Sequence, residues 1–122
     1  MLTIIDNLPD YVFGVRAQGE VNEVDLKTIL LPGLSAVAEK YGEIYYLLVL
    51  DTKVENFTAG AWIQDVIAGV KHITQWKKMA IVTDQKAVET FTDLFAYVTP
   101  GDAKGFKLAE IDQAIAWVSL QS

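Results

Sequence analysis

Seven consecutive apolar residues, Ile44-Tyr45-Tyr46-Leu47-Leu48-Val49-Leu50, limit what this chain can become more than any other stretch. A strand with one wet face alternates apolar and polar side chains. An apolar residue at every position demands cover on both faces, as in the centre of a parallel sheet. The run stops at Asp51 and is far short of the ~20 apolar residues that a membrane-crossing helix needs. What lies around it must therefore supply two layers of packing.

The rest of the chain supplies strands and helices in alternation. Leu2 to Asp6 reads as a short strand, Asn7-Leu8-Pro9-Asp10 as a turn, and Tyr11 to Gly19 as a second strand, an antiparallel hairpin. From Asn22 or Glu23, residues Leu26, Ile29, Leu30, Leu34, Val37 and Tyr41 share one helical face. Pro32-Gly33 interrupts that pattern, which predicts a kink or two short helices with Pro32 at the first position of the second. Gly42 is placed to cap the element. After the apolar strand and a polar turn from Asp51 to Asn56 comes a helix over Ala59 to Gln75. Met79 to Thr83 is a further buried strand. Asp84 caps a helix with Val88, Phe91, Leu94, Phe95 and Val98 on one side, ended by Pro100-Gly101. Phe106 to Leu108 is a last strand and Glu110 to Leu120 a last helix.

This order predicts an α/β fold in a single domain over residues 1–122: one mostly parallel five-stranded sheet with an N-terminal antiparallel hairpin and four helices. Right-handed crossovers advancing in one direction would put the helices on one face. The second face of the apolar strand then needs a helix that swings across, or a second subunit in a homodimer.

The charge balance narrows the partners. Sixteen acidic against ten basic residues give a net charge of −6, and no basic cluster exceeds Lys77-Lys78, so nucleic acid is not an expected partner. With no cysteine the chain has no disulfide and no thiolate site, which suits the cytoplasm. The start Met1-Leu2-Thr3-Ile4-Ile5-Asp6 lacks the features of a secretory signal.

The helix over 59–75 is more apolar than a sheet-covering helix has to be. With Trp76 it carries Trp62, Ile63, Val66, Ile67 and Val70 on an arc of roughly 200°, against the ~100° stripe usual for such a helix. Phe57 and Trp62 have the spacing of a hydrophobic staple around the cap Thr58. Two readings follow. Either the whole arc is core, or the helix is a mobile lid that packs on Phe91 and Phe95 and opens toward an apolar small molecule, a lipid, or the inner membrane as a peripheral contact. Exposing Ile63, Val66, Ile67 and Val70 to water would cost roughly 1.5–3 kcal/mol each, so an open state needs such an occupant.

Several pieces in order carry a family resemblance: the opening hairpin, the Pro-interrupted helix, the apolar strand ending in Leu50-Asp51, and the strand Lys78-Met79-Ala80-Ile81-Val82-Thr83-Asp84. The closing Phe106 and the helix Ile111-Asp112-Gln113-Ala114-Ile115-Ala116-Trp117-Val118 are the most specific part. Together they resemble the SpoIIAA-like family, relatives of the STAS domains of anti-sigma-factor antagonists, whose fold is similar to that of CRAL-TRIO domains. The resemblance implies a domain without catalysis or cofactor that associates with a ligand, a protein partner or a membrane. STAS antagonists carry a phosphorylated serine in an Asp-Ser-Ser-Gly turn. Here the region reads Asn56-Phe57-Thr58-Ala59-Gly60, leaving Thr58 as the one candidate for phosphorylation, beside its plainer role as a helix cap.

Catalytic and metal readings find little. Asp51 and Thr83 end strands as a receiver domain's phospho-acceptor and its partner would, but Asp6 leads into a turn instead of forming a Mg²⁺-binding acidic pair. Asp51 and Asp84 read as turn and capping residues, and the one histidine, His72, falls on the polar side of its helix. No Gly-rich phosphate loop, Ser-His pair or metal-ligand spacing is present, so no enzyme is expected.

Overall fold

The computed structural model describes residues 2–19, 23–51, 76–83 and 102–120. Five strands form one sheet in chain order: β1 (Leu2–Ile4), β2 (Val12–Gln18), β3 (Ile44–Asp51), β4 (Trp76–Val82) and β5 (Asp102–Phe106). The sheet is mixed and not simply mostly parallel: β1 runs antiparallel to β2, while β2, β3, β4 and β5 pair in parallel. The apolar run is the middle strand, and all seven of its residues are buried. Among the described residues two helical runs accompany the sheet, one over 23–41 and one at the C-terminal side. The helices expected over 59–75 and after Asp84 lie outside the described residues.

The first run changes character just before Pro32, and Pro32 sits at the start of its second α-helix as the sequence predicts. A short α1 (Glu23–Asp25) passes into a π-helical turn, Leu26–Leu30, and then into α2 (Leu31–Tyr41), with Pro32 in its first turn. Proline offers no N–H to the carbonyl four residues back and its ring crowds that carbonyl. A wider turn just before it relieves the clash without ending the helix. The π turn also shifts the helical phase, so Leu30, Leu34 and Ala38 face the sheet and Tyr41 is partly exposed. Gly33 lets the helix sit close, since a Cβ there would collide with the Phe13 ring. Gly42 ends α2 at φ 75°, with its N–H bonded to Ala38 O at 2.9 Å, a left-handed cap suited to glycine.

Side chains alternate along β3, and each face has its own core. On one face Tyr46, Leu48 and Leu50 pack with Phe13, Val15, Met79 and Ile81 under α2. On the other, Tyr45, Leu47 and Val49 pack with Val12, Ala80, Val82 and Phe106 under α3 (Ile111–Val118). Ile5, Leu8 and Tyr11 of the hairpin turn add to that second core. The expectation of helices on one face is thus corrected. The last helix swings across, and it covers β3 without a second subunit.

Two strand boundaries also move. β4 starts at Trp76, three residues before the expected Met79, and a bulge sits where Ile44 pairs with Trp76 but Tyr45 pairs with Lys78. The extra residue, Lys77, throws Trp76 and Met79 onto the α2 face and Lys78 onto the α3 face. β5 is Asp102–Phe106, ahead of the expected Phe106 to Leu108. An edge strand bearing Asp102 and Lys104 shows no apolar run for a reader of sequence to find.

Candidate functional site

Asp51 stands at the carboxyl edge of the sheet, where parallel α/β sheets tend to meet their ligands. Register sets Gln18 of β2 opposite Asp51 and Arg16 two residues earlier on the same strand. Gln18 Nε2 donates to Asp51 Oδ2 at 3.3 Å, and Arg16 Nη1 lies 3.7 Å from the same oxygen. Both charged side chains are well exposed, so this is a solvated polar corner. Thr83 at the end of β4 is buried, with its N–H bonded to Phe106 O at 2.9 Å. Asp6 follows the antiparallel β1 and so lies at the opposite edge from Asp51, which leaves no acidic pair beside Asp51 among the described residues for a receiver-type metal site. Among the described residues no group of three His, Asp or Glu could hold a metal ion.

At the amino edge, polar groups collect on the α3 face. Tyr45 Oη donates to Glu43 Oε2 at 3.0 Å, and Glu43 lies 4.0 Å from Lys77 Nζ. Tyr11 meets Tyr45 edge-on at 5.5 Å and donates to Ser119 O. Lys78, only 6% exposed, donates to Trp117 O at 3.2 Å, with its ammonium 5.0 Å from the Trp117 ring centroid. Carbonyls at the C-terminal end of α3 are left without helical donors, and a cation there also suits the helix dipole. Lys78 adds a donor to Trp117 O, which also accepts the Leu120 N–H at 3.3 Å, and Tyr11 bonds Ser119 O just past the helix. Burial pushes the Tyr45 phenol up to about 12, helped by the hydrogen bond to Glu43, its negative charge, and Tyr11.

On the α2 face the same edge carries a row of aromatic rings. Tyr46 stacks on Phe13 at 6.3 Å with 16° between the planes, and Trp76 meets it edge-on at 6.1 Å. Tyr46 is wholly buried, and its Oη has no hydrogen-bond partner among the described residues. Burial in this apolar cluster drives its pKa well above that of a free phenol. A shallow groove of about 300 Å³ beside α2, lined by Asp10, Ala36, Val37, Lys40 and Tyr41, brings no catalytic grouping together.

Of the residues expected to face a ligand or membrane, Trp76 is placed differently from the sequence reading. It opens a strand instead of closing a helix, and it is 2% exposed. Phe57, Trp62, Ile63, Val66, Ile67, Val70, Phe91 and Phe95 lie outside the described residues, as do Thr58, His72 and Asp84. The sequence reading missed Tyr11, Tyr46 and Lys78. A lysine and a tyrosine inside runs that are otherwise buried were the available signal.

Among the described residues no helix is long and apolar enough to cross a membrane. No curated protein and no solved structure matches the chain. The profile of the SpoIIAA-like family does match, over residues 12–119, which span β2 through the end of α3. The chain belongs to the SpoIIAA-like family.

Proposed function

We propose that this chain is a non-catalytic, STAS-type interaction domain that works by binding a protein partner in the manner of an anti-sigma-factor antagonist. The observation that supports this reading is the family match over residues 12–119. The chemistry agrees. Where strands end, the described residues offer a solvated Arg16–Asp51–Gln18 corner suited to contact, with no general acid, nucleophile or metal set beside it. The corner lies at the point where the chain leaves β3 toward Thr58, so a phosphate on Thr58 is the proposed switch for the contact.

The test is photo-crosslinking from Gln18 in the native host, followed by binding of the identified partner to purified domain. Asp51→Arg is expected to weaken that binding about tenfold or more, since a like-charge clash at an interface costs on the order of a few kcal/mol. Phosphate on Thr58 is expected by mass spectrometry of the protein from that host. Unchanged affinity in Asp51→Arg removes this corner from the interface.

The other reading, an apolar ligand or membrane contact through residues 58–76, keeps one observation among the described residues, the unpartnered hydroxyl of Tyr46. Native mass spectrometry reports bound ligand and any homodimer together.

A further inference from the structure

Three features of the α2 face belong together. Tyr46 is completely buried, its hydroxyl meets no hydrogen-bonding group among the described residues, and its ring is walled by Phe13 and Trp76. We propose that the Tyr46 hydroxyl is the polar anchor of a binding site for a small, neutral, mostly apolar molecule presenting one oxygen acceptor, of the alcohol, ketone or ester class.

The first argument is the choice of residue. A buried hydroxyl without a partner is unfavourable, and phenylalanine would fill the same space without that penalty. The sheet uses phenylalanine at the neighbouring register position, Phe13. It also pairs its other packed phenols: Tyr45 bonds Glu43, and Tyr11 bonds Ser119 O. Tyr46 breaks the pattern, so its oxygen has a use that packing does not explain.

The class of occupant follows from the surroundings. The core around Tyr46 is built from apolar side chains, Leu34, Leu48, Met79 and Ile81 with the two rings. A carboxylate or phosphate buried there would have, among the described residues, a single hydrogen bond and no counter-charge, which is prohibitive. A neutral oxygen needs only one donor. The phenol provides it, because burial favours its protonated form. Aromatic walls then suit an apolar body, as small-molecule sites usually do.

This site is independent of the protein contact proposed above, which involves the carboxyl edge, so either can fail alone. The probes are 1-dodecanol, dodecane and dodecanoate, titrated into the purified full chain and followed by tryptophan fluorescence and native mass spectrometry. Wild type is expected to bind dodecanol more tightly than dodecane and to discriminate against dodecanoate. Tyr46→Phe is expected to lose about 3–10-fold in dodecanol affinity, the worth of one hydrogen bond, with dodecane binding unchanged. Tyr45→Phe, on the other face, is expected to leave dodecanol binding as it was. Four results would overturn the proposal: no binding of any probe, equal affinity of wild type and Tyr46→Phe for dodecanol, a preference for dodecanoate, or a high-resolution structure with dodecanol bound away from Tyr46 and a fixed water on its hydroxyl. Circular dichroism of Tyr46→Phe, which keeps the ring and should fold, guards against a trivial loss.

Discussion

Tyr45 and Tyr46 are consecutive residues on opposite sides of one strand, and their hydroxyls meet opposite fates. Tyr45 looks toward α3, where Glu43, Tyr11, Lys78 and the end of the helix form a connected polar patch. Tyr46 looks toward α2, into a core of rings and aliphatic chains that gives its oxygen nothing among the described residues. Among the described residues, the first face is therefore tied by polar contacts, while around Tyr46 the second is held by shape. A face locked by hydrogen bonds has one arrangement, whereas a face held by packing can exchange one apolar neighbour for another.

The strongest way to challenge this contrast is Trp76→Ala. If Trp76 is the core residue of the α2 face described here, the substitution costs about 3–5 kcal/mol by chemical denaturation. A change within ~0.5 kcal/mol would mean a surface position instead. Next comes Lys78→Ala on the α3 face, expected to lower stability by about 1.5–3 kcal/mol through the lost charged hydrogen bond, with faster amide exchange confined to α3. The paired phenol variants sharpen the comparison at about 1 kcal/mol each. Tyr45→Phe is expected to destabilise, and ligand-free Tyr46→Phe to stabilise, so two chemically identical changes on adjacent residues should differ in sign.

Alkaline titration separates the faces by pH. Both phenols are raised in the folded state, so their contribution is fully present below the ordinary phenol value of 10.0 and is lost as pH rises. For Tyr45 the loss falls between 10.0 and about 12, and for Tyr46 it extends higher. Denaturation midpoints should fall through this window, and less steeply in Tyr45→Phe. The smallest effect is Asp51→Asn, expected to change stability by less than ~1 kcal/mol, because its pairs with Arg16 and Gln18 are solvated.

Sequence reading reached the parts of this fold that are encoded locally. An apolar side chain at every position of β3 implied two covered faces, and Gly42 marked its helix end, since both signals reside in the residues themselves. It failed where the deciding interaction is distant. The bulge at Lys77 depends on pairing with β3 and changes which way Trp76 points, so helical phase carried Trp76 into the wrong element. The edge strand β5 draws its form from β4, not from its own polar residues. For the candidate site, Asp51 was legible as a strand end. The contrast between Tyr45 and Tyr46 was not, because both are simply apolar positions until their neighbours are known.

One consequence of the strand order reaches beyond the finished molecule. Each strand pairs with the one before it in the chain, so the sheet can assemble in the order in which a ribosome makes it. The α2 side gains cover early, from residues that precede β3. Among the described residues, the underside carrying Leu47 and Val49 has early cover from Ile5, Leu8 and Tyr11 and gains that of residues 111–118 only after all five strands are made. Until then a nascent chain of this protein lacks the α3 part of that cover, and the surface α3 will occupy is where a chaperone, or a wrong neighbour, would find it.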